Sequence, residues 1–282
     1  MQLEDSTFYD HFGKELEVLG FGLYSNENEL FPIWFHPGKQ IYIEAISLVH
    51  FEKIKSHISP KIWQERIILN RNKFKHFFCV WEDTWYQQSD FIRKHIFHLI
   101  HGYKSIFARD LKLDFIPENL ANEFLTTSHI LGFSKGKSYL GIFVPPHRHF
   151  RGIKSSFQFD NNPLVGVVVM GKTLVMKDEK YLGQKSAELV RFASLPGTRI
   201  VGGLTKALKF YRHSFLVDNV MTYIDLEWND GKGFLGMGFH LESMTNPLLF
   251  KLDDFFNRSL VDNWDDANAC NAGNLKLRYV LK

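Results

Sequence analysis

The alternation of apolar and polar positions cuts the chain into short segments. Residues 31–35 and 40–47 predict two strands around the turn His36-Pro37-Gly38-Lys39. Residues 61–71 predict a helix whose apolar stripe is Ile62, Ile67 and Ile68. Residues 77–81 have the length and apolarity of a buried strand. Residues 89–99 predict a helix with Ser89 as N-cap and Phe91, Ile92, Ile96 and Leu99 on one face. Residues 105–108 are a further short strand.

Pro117 suits the first turn of a helix through residues 121–126, which opens a second domain. Residues 139–144 and 164–170 read as neighbouring strands across a polar loop, 145–163, with 173–177 pairing beside them. A strand over 188–194 stops at Leu195-Pro196-Gly197. A glycine turn over 199–203, an amphipathic helix over 204–213 and a strand over 220–225 follow. Residues 230–237 are a short helix or turn, and 239–243 with 248–252 form a closing antiparallel pair. The expected class is mixed α/β (α+β), divided into domains 1–115 and 116–282.

Composition excludes several classes. The chain has 282 residues, 45% hydrophobic and 23% charged, so it is not a disordered chain. No apolar run reaches the length of a membrane span and no leader of the secretory type stands at its start, so a cytoplasmic protein without a membrane partner is expected. Cys79 and Cys270 are isolated, which excludes a disulfide scaffold and a CxxC metal site. No metal is expected. The net charge of +3 conceals two basic stretches. Residues 53–75 carry seven Lys/Arg against one acid, Glu65, and 135–154 carry five Lys/Arg, two His and no acid. Such stretches either follow a phosphate backbone or form a solvated basic face. The 27 Phe fit aromatic-rich cores better than a stacking surface.

The sharpest chemistry is Arg199-Ile200-Val201-Gly202-Gly203 between a strand and a helix. A glycine turn opening a helix leaves backbone N–H groups without partners, and with the helix dipole these attract an anion such as pyrophosphate. The alternative is a tight connection whose glycines serve packing. Other candidates are single residues. His129, past a helix end, is a base, a ligand or a surface residue. Asp225, at a strand end, is catalytic or the cap of the next turn. Trp228 is a stacking ring or a buried anchor. The segment Pro145-Pro146-His147-Arg148-His149-Phe150-Arg151 is a basic, aromatic contact loop or a solvated one.

These residues carry a resemblance. A strand, R-x-x-G-G, a helix, a strand and a Gly-rich turn ending in Gly238-Phe239 resemble the core of the GNAT acetyltransferases. In that family an R/Q-x-x-G-x-G/A loop holds the pyrophosphate of acetyl-coenzyme A. Arg199 and Gly202 match, Gly203 fills the free position, and Leu204 stands where the family has Gly or Ala. The resemblance implies cofactor contacts from Arg199, Val201, Gly202, Gly203, Thr205 and Lys206, and an acetyl-CoA or related acyl donor. Phe234 and Leu235 occupy the region where the family often has a catalytic tyrosine.

A narrower likeness extends through residues 124–132, 188–192, 201–206, 223–228, 236–239 and 271–276. It is similar in order and spacing to phage proteins whose C-terminal domain is GNAT-like and related to the Mom DNA-modification proteins. That likeness implies a DNA base as acceptor and catalytic roles for His129 and Asp225, with Tyr223 nearby. Lys135, Lys137, Arg148, Arg151 and Trp228, from the basic stretch and the strand end, are the candidate nucleic-acid contacts. Residues near 30–115 resemble the Vsr-type, restriction-endonuclease-like domain of the same proteins. The landmarks are Ile41-Tyr42-Ile43-Glu44, His50, residues 80–85 and residues 106–109. Glu44 falls where one metal-binding carboxylate would, but residues 31–35 hold no Asp. The expectation is therefore a degenerate nuclease-like domain retained for DNA binding, with Glu82 and Asp83 as solvated acids. Two alternatives stay open: a catalytically decayed DNA-binding protein, and an N-acetyltransferase for a small amine or protein.

Overall fold

The computed structural model describes residues 3–24, 29–148 and 153–281. Along the chain, the first half runs α1 (Leu3–Val18), β1 (Gly22–Tyr24), β2 (Ile33–His36), β3 (Ile41–Ile46), α2 (Leu48–Ile54), α3 (Pro60–Lys73), β4 (His76–Trp81), α4 (Glu82–His101), β5 (Lys104–Phe107), β6 (Lys112–Phe115), α5 (Glu118–Ser128) and β7 (Ser138–Phe143). It continues with β8 (Gln158–Phe159), β9 (Asn162–Met170), β10 (Leu174–Val175), β11 (Lys185–Ser194), β12 (Thr198–Val201), α6 (Gly203–Phe215), β13 (Asn219–Asp225), α7 (Lys232–Gly236), β14 (His240–Met244), β15 (Leu249–Leu252), β16 (Arg258–Val261), β17 (Ala269–Cys270) and β18 (Asn274–Val280).

The chain folds as two compact units that are not consecutive spans. Unit 1 comprises Met1–Ser89, Ile224–Gly233 and Ser243–Lys276; unit 2 comprises Asp90–Tyr223, Phe234–Glu242 and Leu277–Lys282. This division differs from one at residue 115. The C-terminal strands return to pair with earlier segments, and such non-local pairing leaves no mark in local composition.

In unit 1, β1, β2 and β3 form an antiparallel meander and β4 lies parallel to β3. A parallel neighbour needs a crossover, which α2 and α3 supply. Ser59 caps α3 by accepting the Ile62 N–H, and Pro60 fits the first turn, where no N–H is needed. The buried face of α3 is Trp63, Ile67 and Asn70. Ile62 is exposed, so the expected stripe was turned about the helix axis. The core gathers Phe31, Phe51, Trp63, Ile67, Trp81, Leu226 and Cys270. Both cysteines are buried thiols. Helix α1 was not foreseen, although Phe8, Phe12 and Leu16 at four-residue steps are all buried.

In unit 2, the main sheet has the order β14-β18-β13-β11-β9-β7-β6. β9 is buried along nearly its whole length, which explains its uninterrupted apolar run. α5 packs Phe124 and Leu125 against Leu164, Val167 and Val169 of β9. α4 carries non-helical angles at Gln88, so its second half begins one residue earlier than expected, with Gln88 and not Ser89 at the cap position. Two pairings were misjudged. β10 pairs with β11, not with β7 or β9. β14 borders β18, and β15 pairs with β16 and β17, so 239–243 and 248–252 are not partners.

Candidate functional site

β11 and β13 are parallel, but their ladder holds only three pairs: Ser186 with Asn219, Ala187 with Val220 and Glu188 with Met221. Beyond it, Thr222 Oγ1 donates to the Leu189 carbonyl, 2.9 Å. On its other side β11 carries a register shift between Leu189 and Arg191. A bulge bends a strand away from its neighbour. The start of the ladder is clamped by Arg278. Its guanidinium donates to Ser186 Oγ at 2.9 Å and to Asn219 Oδ1, the two side chains of the first pair.

Between the two strands lies the glycine turn. Gly197 has φ +79° and no room for a side chain, because a Cβ would sit 2.7 Å from His98 Nε2. β12 then pairs in parallel with β5, burying Thr198 and Ile200 and exposing Arg199 and Val201. Gly202 is the N-cap of α6 with φ +75°, and no side chain caps the helix. The first-turn N–H groups therefore lack intrahelical acceptors at the positive end of the helix dipole. Gly203 is required for space, since a Cβ would lie 2.6 Å from Ile200 Cγ2. The two readings of these glycines are compatible: Gly202 shapes the turn and Gly203 packs it.

The neighbouring candidates differ in availability. Thr205 is half-buried. Leu204 is buried in the core. The Lys206 ammonium donates to the carbonyls of Ala108 and Leu111, so it fastens α6 to the loop after β5.

His129 is the C-cap of α5. Its Nδ1 accepts the Leu131 N–H at 3.1 Å, which assigns the ring proton to Nε2. Burial, with the Arg191 charge nearby, lowers its pKa to about 3. His129 is therefore a neutral donor at physiological pH and a weak base. Tyr223 is exposed, two residues past the last ladder pair.

Asp225 belongs to unit 1, and His129 to unit 2. Asp225 Oδ1 accepts the Glu227 N–H at 2.8 Å and its carbonyl accepts those of Trp228 and Asn229. Those bonds are a turn cap. Burial raises the Asp225 pKa against the opposing pull of the Glu227 N–H, Arg258 and Arg71. The Trp228 ring lies 5.2 Å from that of Phe78 and is half-buried. Lys135 and Lys137 are exposed. Arg148 pairs with Asp110 at 3.0 Å. Arg151 lies outside the described residues.

The nuclease-like positions of unit 1 are internally satisfied. Glu44 is fully buried and paired with Arg66, and its Oε2 accepts the Cys79 thiol at 3.5 Å. Glu82 accepts the Leu48 N–H at 2.9 Å. Asp83 accepts two bonds from Arg258, 2.6 and 2.9 Å. These two acids are therefore engaged by the protein rather than solvated, because β4 delivers them to a helix start beside an arginine. The basic stretch 53–75 is likewise not one solvated face. Arg66 and Arg71 turn inward, while Lys55 binds the carbonyls of Asp265 and Ala267. Among the described residues no three His, Cys, Asp or Glu are placed to hold a metal ion, and no helix is long and apolar enough to cross a membrane.

One polar centre escaped sequence reasoning. Glu227 is buried, with Oε1 accepting the Trp63 indole N–H at 3.0 Å and Oε2 that of Trp81 at 2.9 Å. Burial and the Asp225 charge push its pKa up to about 8. The only local signal was a second acid two residues after Asp225, on the same strand-like register.

No protein-family profile and no curated protein matches the sequence. Several solved structures are similar at low identity, three of them as follows. A chain of the NatC complex bound to Gag peptide and CoA shares 12% identity over 61% of this chain and 99% of its own, with a TM-score of 0.35. The ribosomal-protein-S18-alanine N-acetyltransferase from Escherichia coli shares 10% over 60% and 93%, TM-score 0.35. A Bacillus subtilis acetyltransferase in complex with CoA shares 12% over 61% and 99%, TM-score 0.34.

Proposed function

We propose that unit 2 is a GNAT-like acyltransferase that takes an acyl-coenzyme A donor at the Gly202–Gly203 turn and a nucleic-acid base as acceptor. The observation that carries the donor is the conjunction of an uncapped α6, opened by left-handed Gly202, with a β11/β13 ladder that ends after three pairs. Backbone N–H groups of Gly203, Leu204 and Thr205 and the exposed Arg199 would hold the pyrophosphate. Val201 lines the approach to the turn. Lys206 supports the turn from behind. The donor would supply a thioester: its C–S bond would break as the acceptor nitrogen bonds to the acyl carbon, and the proton lost by that nitrogen would pass to solvent.

Within the chain, Tyr223 is the candidate to protonate the leaving thiolate. His129, carrying its proton on Nε2, is a hydrogen-bond donor in this reading. Asp225 is tested by Asp225→Ala. Lost transfer in a folded variant assigns it to the chemistry, and lost expression makes it a turn cap. The base as acceptor rests on the sequence likeness to Mom-related proteins, with exposed Lys135 and Lys137, and Arg148, Arg151 and Trp228, as contacts. The helix, three-strand meander, helix and parallel strand of unit 1 support the restriction-endonuclease-like reading. Glu44 neutralised by Arg66 supports a domain that binds DNA without cutting it.

The experiment is thermal denaturation with acetyl-coenzyme A, paired with nucleoside analysis of DNA from expressing cells. Stabilisation and a new modified nucleoside support the proposal; neither effect overturns it. A decayed DNA-binding protein is the second reading, favoured by the low basicity of His129 and the capping bonds of Asp225. It is distinguished by DNA affinity that falls steeply with salt without any transfer activity. Acyl transfer to small amines or proteins but not to DNA would instead assign the third reading, an ordinary N-acetyltransferase.

A further inference from the structure

α3 presents an unusual row of buried donors. Arg66 and Asn70 are one helical turn apart on the same face, and Arg71 follows. Arg66 uses one nitrogen on Glu44, and its plane lies over the Trp63 ring, 4.3 Å from the centroid. Its Nε and Nη2 are buried without an acceptor. Asn70 is only 5% exposed, and its Nδ2 has no acceptor either. Arg71 donates Nε to the Leu226 carbonyl and leaves Nη2 buried and unpaired.

The nearby acceptors are already committed. Glu44 gives one oxygen to Arg66 and the other to Cys79. Glu227 gives one oxygen to each tryptophan. Among the described residues no carboxylate forms an ion pair with Arg71. Buried donors left without acceptors are costly. Desolvation lowers the Arg71 pKa, outweighing the charges of Cys79, Asp230, Asp225 and Glu227, which raise it. Both guanidinium groups lie in the electrostatic range of Cys79 and Glu227, so they border one region.

We propose that Arg66, Asn70 and Arg71 form a site in unit 1 for one small oxyanion of the phosphate class. Two guanidinium groups and an amide match such a group, whose several oxygens each accept more than one bond. A single tetrahedral anion satisfies donors that no side chain of the protein reaches. The depth of Asn70 favours a free phosphate or a terminal monoester over the phosphodiester of an intact duplex. This site is separate from the glycine turn of unit 2, and its failure would leave the acyltransferase reading untouched.

The test titrates inorganic phosphate into the full chain, read by calorimetry and by thermal denaturation, against chloride at equal ionic strength. Saturable binding with a rise in melting temperature is expected for phosphate alone. Asn70→Asp places a negative charge against the anion, and Arg71→Gln removes a donor with little change of shape. Each is expected to weaken binding at least tenfold. Circular dichroism identifies any variant that fails to fold, and the wild-type titration decides the question without it. Displacement of phosphate by a 5′-mononucleotide assigns a nucleotide source, and displacement only by duplex DNA assigns the backbone. Absence of saturable phosphate binding overturns the proposal and leaves the donors to water. Equal binding by wild type and both variants overturns it as well.

Discussion

Arg278 grips Glu242 with two parallel bonds, Nε to Oε1 at 2.5 Å and Nη2 to Oε2 at 3.0 Å. Its remaining nitrogen reaches the first β11/β13 pair, and its guanidinium lies over the Tyr181 ring. Arg278 is 2% exposed. Removing one partner of a buried pair strands the other charge, at a cost of about 3–5 kcal/mol. Arg278→Met should therefore lower stability by that order in denaturant unfolding. Because Arg278 fixes the closed end of the ladder, it should also abolish the acetyl-coenzyme A stabilisation proposed for unit 2. A variant that unfolds at wild-type denaturant concentration would show the clamp to be dispensable.

Gly203→Ala tests the packing of the glycine turn. The added methyl meets Ile200 Cγ2 at 2.6 Å, and that branched, buried neighbour cannot swing clear. Overpacking of this kind costs roughly 1–3 kcal/mol. Gly202→Ala meets no such neighbour but holds φ +75°, so it costs about 1–2 kcal/mol through backbone strain. Both variants should weaken acyl-CoA binding. The double variant Gly203→Ala with Ile200→Val should recover part of the stability lost in Gly203→Ala and none of that lost in Gly202→Ala. Thermal denaturation of the set checks this.

Much of the α/β alternation was visible in residue pattern because it rests on local signals. Ser59-Pro60 starts α3 and Gly202 opens α6. What pattern missed depends on distant partners. β18 joins the main sheet between β13 and β14, a choice made by residues more than thirty positions apart. The candidate site was legible to the same degree. Gly202 and Gly203 announce a turn by their type. The engagement of Lys206 by two carbonyls, the use of His129 Nδ1 by Leu131 and the capping bonds of Asp225 are properties of geometry. An acid, a lysine or a histidine reads alike in sequence whether its polar atoms are free or taken.

Glu227 makes the stability of unit 1 depend on pH. Its pKa stands at about 8 in the folded chain against an ordinary value of 4.5. The folded state therefore holds a proton that the unfolded state releases between those values. Stability is full below about pH 4.5 and declines as pH rises through 8. Burial of Asp225 shifts its carboxyl in the same direction. Glu227→Gln removes the titration but forfeits one acceptor, since an amide nitrogen cannot receive a tryptophan N–H. The variant should thus be less stable at pH 5, and the gap should narrow towards pH 8. Melting temperatures of both proteins across that range decide it; parallel curves would contradict the protonated carboxyl.

Unit 2 should respond to acid in the opposite sense. His129 has its pKa lowered to about 3 and His95 to about 4, each mainly by burial. Both are neutral in the folded state and protonate first on unfolding. The stability they contribute is present above about pH 6.5 and is lost as pH falls towards those folded values. The consequence for activity follows from the same numbers. A group with a pKa near 3 stays unprotonated throughout pH 5–8, so His129 imposes no inflection on a pH–rate profile in that range. His129→Gln keeps a side-chain donor and an acceptor without titrating. It should flatten the loss of stability between pH 6.5 and 4 while leaving the shape of the rate profile unchanged. An inflection near pH 6–7 in the wild type that disappears in His129→Gln would restore His129 as the general base.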